Sequence, residues 1–302
     1  MPAGRANVRL RSRAFYNAPM GWPLIDAIAL SERLADPDWV IVDCRFSLTD
    51  PSAGPAAYAR SHVPGARYAD LDRDLSRRPG PGDGRHPLPN PSDLAARLGA
   101  WGIHSGSTVV AYDESSAAIA ARLWWLLGWL GHDRRLVLDG GFAAWEAAGL
   151  PVDTAAPTWR AARFVPRHIA NESVVTTAEL AALQAAGAVL VDARAAARYR
   201  GEQEPIDPVA GHVPGAVNRP GSTNVAPNGR FRPAADLARE LAELLDGRSP
   251  DELVAMCGSG VTACQLLLAL AAAGLGAGKL YAGSWSEWIR DPARPVRTGP
   301  AP

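Results

Sequence analysis

The stretch SHVPGARYADL at residues 61–71 returns as GHVPGAVNRPG at residues 211–221, and this repetition decides the fold. Three more blocks return in the same order, each about 145 residues further along the chain. They are WVIVDCR (39–45) with AVLVDAR (188–194), STVVAYDESSAAIAARLWWLLGWLG (107–131) with DELVAMCGSGVTACQLLLALAAAG (251–274), and LVLDGGFAAWEAAGLPV (136–152) with KLYAGSWSEWIRDPARPV (279–296). Four blocks in one order at one spacing indicate a tandem duplication.

Within each copy, short apolar runs rich in β-branched residues alternate with helical stretches. The runs predicted as strands are VIVD, TVVAY and LVLD in the first copy and VLVD, LVAM and KLYA in the second. The pattern predicts helices over 91–102 and 234–247. Short buried strands that alternate with helices are typical of a parallel sheet covered on both faces. We therefore predict the α/β class, with two tandem domains that are each a parallel sheet flanked by helices on both faces.

The duplication also divides the chain into domains. We predict one domain over 22–152 and a second over 172–302, joined by a linker over 153–171 that is rich in Pro, Ala and Arg. Residues 1–21 are rich in Arg and contain no acidic residue. We predict a disordered extension there, and a transit peptide is the alternative interpretation.

The composition argues against several classes of function. The 302 residues include 31 Lys or Arg and 31 Asp or Glu, so there is no basic excess to bind nucleic acid. The most apolar segment, LWWLLGWLG at 123–131, is too short to span a bilayer. Three cysteines argue against a disulfide scaffold and favour a reducing, cytoplasmic compartment. Because no Cys/His cluster has metal-ligand spacing, we expect no structural zinc.

The stretch MCGSGVTAC at 256–264 places Cys257 between a predicted strand and a predicted helix. Sites in parallel sheets form at the carboxyl ends of strands. Gly258 and Gly260 permit backbone conformations in which the successive N–H groups of residues 258–262 point inward as an anion-binding nest. The nest and the start of the helix favour an anionic sulfur. We therefore predict a nucleophilic thiolate that forms a covalent intermediate; the alternative is a thiol that only packs.

Two comparisons favour the nucleophile. The first copy carries Asp113 where the second carries Cys257, and a carboxylate cannot act as a sulfur nucleophile. The first domain is therefore predicted to be non-catalytic and the second catalytic. A phosphotyrosine-type phosphatase needs an Arg in the pattern C-x5-R to clamp phosphate, and that position is Ala263 here.

Four further residues are predicted to be structural. Cys44 and Cys264 are interpreted as packing thiols. His62 and His212 stand in the HVPGA motif of both copies, the catalytic one and the other, so they are expected to make structural hydrogen bonds.

The chain resembles the tandem-domain rhodanese-like sulfurtransferases from about residue 22 onward. SHVPGA, GHVPGA, YDES, LDGGFAAW and VDARAAARYRG all match that family, and CGSGVTA resembles the active loop of its 3-mercaptopyruvate branch. The resemblance implies that Cys257 takes sulfur from a small-molecule donor as a persulfide and passes it to cyanide, a thiol or thioredoxin. It also implies that the amides of Gly258, Ser259, Gly260, Val261 and Thr262 stabilise the persulfide. No metal or organic cofactor is implied.

The resemblance implies further site residues. Arg198, in ARYRG, matches the arginine that binds the anionic group of the donor, and Arg194 is expected to pair with a carboxylate and shape the pocket. Ser259, His86 and Asp72 match a proposed proton relay. Animal-type enzymes of the 3-mercaptopyruvate branch have a second substrate arginine further along, and GEQEPIDPVAGH at 201–212 offers none.

The donor remains open between two candidates. The loop after Cys257 carries no Lys or Arg, which favours singly charged 3-mercaptopyruvate over doubly charged thiosulfate. The alternatives are a thiosulfate:cyanide sulfurtransferase with the same mechanism and a persulfide carrier without small-molecule turnover.

Overall fold

The structure is a computed structural model that describes residues 23–300. The predicted extension at residues 1–21 lies outside the described residues, and so do residues 22, 301 and 302.

The first copy forms one five-stranded sheet in which every neighbouring pair of strands is parallel. Its strands are β1 (Leu24–Ile25), β2 (Trp39–Asp43), β3 (Arg67–Tyr68), β4 (Thr108–Tyr112) and β5 (Arg135–Leu138), in the spatial order β1-β5-β4-β2-β3. Its helices are α1 (Ala27–Ser31), α2 (Ala53–Arg60), α3 (Pro91–Ala100), α4 (Ala120–Trp129) and α5 (Gly141–Ala147).

The second copy repeats this topology. Its strands are β6 (Val174–Val175), β7 (Val189–Asp192), β8 (Val217–Asn218), β9 (Leu253–Met256) and β10 (Lys279–Tyr281), in the order β6-β10-β9-β7-β8. Its α-helices are α6 (Thr177–Ala185), α7 (Ala196–Tyr199), α8 (Ala234–Leu245), α9 (Ala263–Ala272) and α10 (Ser284–Trp288), and 3₁₀ turns lie at Asn171–Ser173, Gly221–Asn224 and Pro250–Glu252.

Alternate residues of the central strands face two different apolar cores. In β4, Val109 and Ala111 belong to one core, whereas Val110 and Tyr112 belong to the other. Strands buried on both faces read as continuous apolar runs, and all five residues of β4 are buried. The predicted fold class, two parallel sheets with helices on both faces, is confirmed.

The two predicted helices are each two residues shorter than expected. The first ends at Ala100 because Gly102 takes the left-handed conformation with φ +81°. The second ends at Leu245, where Asp246 and Gly247 have φ of +49° and +78°. Left-handed residues of this kind terminate helices.

The two domains share one apolar core through α4 and α9. Buried residues of both helices, among them Leu126 and Leu266, belong to the same cluster. The N-terminal ends of these helices follow β4 and β9, so both sheets present the carboxyl ends of their central strands to the interface. This arrangement lets residues of the first domain reach the loop after Cys257.

The segment predicted as a linker lies along the first domain. Ala162 donates its N–H to the carbonyl of Gly99 at 2.8 Å, and the Trp159 indole donates to the carbonyl of Ala100 at 2.7 Å. Its domain-bounding role at residues 153–171 stays a prediction. Within residues 23–300, no helix has the length and apolar character needed to cross a bilayer.

Candidate active site

Cys257 lies directly after β9 with its backbone held by the last helix. Its N–H donates to Ser284 Oγ at 3.1 Å, and its carbonyl accepts from the N–H of Trp285 at 3.0 Å. Ser284 itself has φ +52°, a conformation that non-glycine residues rarely adopt. Such strain persists where the surrounding structure requires it. Ser284 therefore fixes the position of the cysteine, and no motif in the sequence pointed to it.

The loop after Cys257 offers free amide donors. Within the part of the chain that the structure describes, none of the N–H groups of residues 258–262 donates to a protein acceptor. Gly260 has φ +75°, and a Cβ placed there would lie 2.3 Å from the carbonyl oxygen of Ala282. Only glycine fits this position, so the sequence dictates the turn that exposes the amides. Thr262 occupies the N-cap position of α9, but its side chain makes no capping bond.

In the equivalent loop of the first domain, the side-chain carboxylate of Asp113 already occupies the backbone N–H donors. Asp113 follows β4 as Cys257 follows β9, and its oxygens accept N–H bonds from Ala117 at 3.0 Å, Ile119 at 2.8 Å and Ala120 at 3.1 Å. Ala117 has φ +59° and repeats the turn of Gly260. An anion therefore already occupies the amides of the first domain. Burial raises the pKa of Asp113 despite these bonds.

The Arg198 side chain lies beside Gly258 and is held by two carboxylates. Its Nε and Nη2 donate to Glu204, with the shortest bond at 2.6 Å, and Nη2 also donates to Asp207 at 3.0 Å. Its Nη1 takes part in none of these bonds and lies 3.6 Å from the point where a Cβ on Gly258 would stand. Burial would raise the pKa of Glu204, but the Arg198 hydrogen bonds lower it. Arg198 thus keeps one edge of its guanidinium toward Gly258.

A second arginine, Arg85 of the first domain, approaches the same point beside Gly258 as Arg198. Arg85 Nη2 lies 2.9 Å from the same Cβ point, while its Nη1 forms an ion pair with Asp207. Asp207 therefore bridges Arg85 and Arg198. The stretch 201–212 supplies this bridging carboxylate in place of a second arginine. Sequence reasoning missed Arg85, although it stands next to His86 in GRHPLP.

Arg194 is engaged on all sides. Its Nε and Nη2 bond to Asp192, Nη2 also donates to the carbonyl of Gly211 at 2.7 Å, and Nη1 lies 3.4 Å from Glu204. The guanidinium stacks on the ring of Trp285 at 4.6 Å. Arg194 lines the cavity at Cys257 with its donors already occupied. Its predicted role in substrate binding stays a prediction.

The side chains of Ser259, His86 and Asp72 lie in one row of polar contacts. His86 Nδ1 lies 2.7 Å from Ser259 Oγ, and His86 Nε2 lies 3.0 Å from Asp72 Oδ1. Burial, reinforced by the positive charges of Arg122 and Arg85, lowers the pKa of His86 to about 3, so the imidazole is neutral at neutral pH. Partial burial and the neighbouring Asp70 raise the pKa of Asp72. The row crosses the domain interface, and its role in catalysis stays a prediction.

A cavity of about 370 Å³ opens at Cys257. Seven of the predicted site residues line it: Arg194, Arg198, Cys257, Gly258, Ser259, Val261 and Thr262. His86, Asp72 and Gly260 do not line the cavity. Both domains contribute to the lining, because Leu71, Arg85 and Ile119 of the first domain also face the cavity.

The other two cysteines are buried within the domains. Burial raises the pKa of Cys264 to about 12 and that of Cys44 well above its ordinary value, so both thiols are neutral. Among residues 23–300, no group of three His, Cys, Asp or Glu side chains is placed to hold a metal ion.

The histidines of the repeated motif make the same contacts in both copies. His62 Nδ1 lies 2.7 Å from the carbonyl oxygen of Tyr58, and His212 Nδ1 lies 2.8 Å from that of Tyr199. Each imidazole stacks on the ring of the same tyrosine, with centroids 4.0 and 3.8 Å apart. These contacts match the structural role expected of both residues.

Comparison with known proteins places these features in context. The model of the rhodanese-like domain matches residues 26–148 and again 176–291. A Pseudomonas aeruginosa protein named as a probable 3-mercaptopyruvate sulfurtransferase is 51% identical over 278 residues, which cover 91% of this chain and 98% of that protein. A thiosulfate sulfurtransferase of the same organism is 34% identical, covering 90% of this chain and 96% of that protein. The structure of 3-mercaptopyruvate sulfurtransferase from Leishmania major superposes with a TM-score of 0.80 at 32% identity, over 90% of this chain and 75% of that one.

Proposed function

Because the chain belongs to the rhodanese family, we propose that it is a sulfurtransferase that takes sulfur from 3-mercaptopyruvate through a persulfide on Cys257. The observation that carries the proposal is the open set of amides at residues 258–262, beside a cysteine at the end of a central strand. In the first domain, three amides of the loop after β4 and the start of α4 already bind the carboxylate of Asp113. A persulfide on Cys257 would fill the open set in the same way.

The first half of the reaction moves sulfur onto the enzyme. The Cys257 thiolate attacks the donor sulfur, a sulfur–sulfur bond forms, and the carbon–sulfur bond of the donor breaks. The electron pair of that bond leaves with the carbon as the enolate of pyruvate. The proton of the donor thiol returns to this carbon and yields pyruvate, so the step needs no external oxidant or reductant.

Ser259, His86 and Asp72 are proposed to carry that proton. With Asp72 ionised, the tautomer of His86 that carries its proton on Nε2 points that proton toward the carboxylate, 3.0 Å away, and accepts the Ser259 hydroxyl at Nδ1. The low pKa of His86 keeps the ring neutral and available as an acceptor. Ser259 Oγ then exchanges a proton with the donor at the mouth of the loop.

The second half of the reaction releases the sulfur. The acceptor, cyanide or a thiolate, attacks the outer sulfur of the persulfide, and the Cys257 thiolate leaves with the electron pair of the broken sulfur–sulfur bond. The proposed acceptors are cyanide, a small thiol or reduced thioredoxin. We also propose a reducing, cytoplasmic setting, because Cys44, Cys257 and Cys264 all carry free thiols.

The charges around the cavity favour a donor with one negative charge. Arg85 and Arg198 are matched by the carboxylates of Asp207 and Glu204, which leaves little net positive charge beside Gly258. The Nη1 edge of Arg198 and Nη2 of Arg85 are nonetheless placed to bind one carboxylate by directed hydrogen bonds. Thiosulfate is the second candidate donor, supported by the related thiosulfate sulfurtransferase.

The test is steady-state turnover of both donors by the wild-type protein, with cyanide or dithiothreitol as acceptor. A higher kcat/KM for 3-mercaptopyruvate than for thiosulfate is expected, and the reverse order would assign the thiosulfate alternative. If neither donor is turned over yet Cys257 gains one sulfur atom from a protein donor, the chain is a persulfide carrier.

A further inference from the structure

The structure contains a buried positive charge at the centre of the domain interface. Arg122 lies in the first turn of α4 and is fully buried, with 0% exposure. Within residues 23–300, no carboxylate lies within ion-pair distance of its guanidinium. An arginine keeps its charge even when buried, and a buried charge is costly unless something compensates it.

All three guanidinium nitrogens of Arg122 donate to backbone carbonyls of other segments. Nη1 donates to the carbonyl of Gly260 at 3.1 Å, and Nη2 donates to the carbonyl of His86 at 3.1 Å. Gly260 belongs to the loop of residues 257–262, the proposed reactive loop. Nε lies 3.4 Å from the carbonyl oxygen of Leu75. One side chain therefore joins the loop that carries Ser259 to the segment that carries His86.

Among residues 23–300, two cysteine side chains lie near this buried charge. The groups that interact favourably with the Arg122 charge are the thiols of Cys264 and Cys257. The pKa of Cys264 is raised to about 12, so that thiol stays neutral at neutral pH. His86, which also faces Arg122, is neutral as well. Cys257 is therefore the group near Arg122 whose sulfur becomes anionic in the proposed reaction.

The duplication provides an internal comparison. Arg122 is the third residue of α4, and Gln265 is the third residue of α9. Gln265 reaches back across the interface and donates to the carbonyl of Ser116, in the loop that follows Asp113. The loop after Asp113 is thus contacted by the neutral amide of Gln265 from the second domain. The loop after Cys257 is contacted by the positively charged Arg122 from the first domain.

We propose that Arg122 is a positioning residue that locks the reactive loop onto the His86 segment and supplies the buried positive charge that favours the anionic form of the Cys257 sulfur. The proposal rests on Cys257 being the nucleophile of the proposed function. It assigns the first domain an electrostatic role in a reaction whose nucleophile lies in the second.

The test measures the rate at which iodoacetamide alkylates Cys257 in the full chain, at pH values between 5 and 9. Peptide mass spectrometry reports the extent of alkylation. Arg122→Gln removes the charge but keeps an amide donor, as found at Gln265. Arg122→Lys keeps the charge. Arg135→Gln is the matched control, because Arg135 is also buried against α4 but contacts Trp124, away from Cys257.

We expect Arg122→Gln to slow alkylation at pH 7 by about tenfold and to move the midpoint of the pH profile upward by about one unit. Arg122→Lys should stay within about threefold of wild type, and Arg135→Gln should match wild type. A folded Arg122→Gln variant that is alkylated like the control would overturn the proposal. So would equal losses in the Lys and Gln variants.

Two further outcomes are informative. If Arg122→Gln does not fold, Arg122→Lys is compared with Arg135→Lys: retained alkylation supports the proposal, and a tenfold loss in folded Arg122→Lys contradicts it. Alkylation needs no sulfur donor, so a wild-type protein with a reactive Cys257 but no turnover would count against the proposed function and leave the role of Arg122 standing.

Discussion

Asp113 and Cys257 occupy equivalent positions at the ends of the central strands β4 and β9, and each faces a turn of backbone amides. The carboxylate of Asp113 fills its own turn with three hydrogen bonds, whereas the amides after Cys257 stay open. The duplicated chain has thus kept one anion-binding turn as a structural element and the other as a candidate reaction site.

The first prediction concerns that structural turn. Asp113→Ala leaves three N–H groups without an acceptor, two of them buried, and we expect the free energy of unfolding to fall by at least about 2 kcal/mol. Asp113→Asn keeps an acceptor oxygen and should cost less. Urea titration measures both values. Sulfur transfer by either folded variant should stay within about twofold of wild type, and a selective loss of activity would show that the first domain does more than support the second.

The second prediction concerns the arginine pair at Gly258. Arg198→Lys and Arg85→Lys keep the charge but lose the planar fork, so we expect KM for 3-mercaptopyruvate to rise by about tenfold in each. Arg200→Lys, at a partly exposed arginine two residues beyond Arg198, is the matched control. Alkylation of Cys257 by neutral iodoacetamide should not change. A rise in KM for the control, or none for the pair, would remove the carboxylate-binding role.

The third prediction concerns the Ser259–His86–Asp72 row. His86→Asn should lower kcat by about 10² to 10⁴, the range of general acid–base catalysis, without slowing alkylation of Cys257. Asp72→Asn should have a smaller effect, because the Asp72 side chain is 55% exposed.

The pH dependence of the same row follows from the pKa of His86. The native pKa is depressed to about 3, so the ring stays neutral as pH falls through 6.5, where a free histidine takes up a proton. The kcat profile should therefore show no histidine titration between pH 5 and pH 8. An acidic limb near pH 6.5 that disappears in His86→Asn would contradict the burial of this ring.

The fourth prediction separates steric clash from backbone strain. Gly260 and Gly274 have nearly the same left-handed φ, +75° and +71°, but only at Gly260 would a Cβ meet backbone, at 2.3 Å from Ala282 O. Gly274→Ala should cost about 1 kcal/mol of stability, from strain alone. Gly260→Ala should also displace the reactive loop and lower kcat/KM by at least about tenfold. Equal effects of the two variants on activity would show that the loop tolerates displacement.

Much of the fold could be predicted from local pattern. The runs TVVAY, VLVD and LVAM are strands with the expected ends, because strands buried on both faces consist of apolar residues without interruption. The position of Cys257 after a strand followed from the same pattern. Helix ends were less predictable, since Asp246 adopts a left-handed conformation that its residue type does not require.

The contacts that complete the site depend on domain packing. Arg85 meets Asp207 and Arg122 meets Gly260 only because α4 and α9 pack against each other across the interface. Ser284 holds the Cys257 amide through a strained backbone that no local signal marks. Residues so distant in sequence leave no periodic pattern. The sequence therefore indicated the reactive loop but not Arg85, Arg122 and Ser284, which complete the site around it.

The central claim is that Cys257 carries the transferred sulfur. The most direct measurement is peptide mass spectrometry of the protein after reaction with 3-mercaptopyruvate in the absence of an acceptor. We predict a gain of one sulfur atom on the peptide that contains Cys257, removed by added thiol and absent from Cys257→Ser, with Cys44 and Cys264 unmodified. Sulfur on Cys264 alone, or full sulfur transfer by Cys257→Ser, would contradict the account.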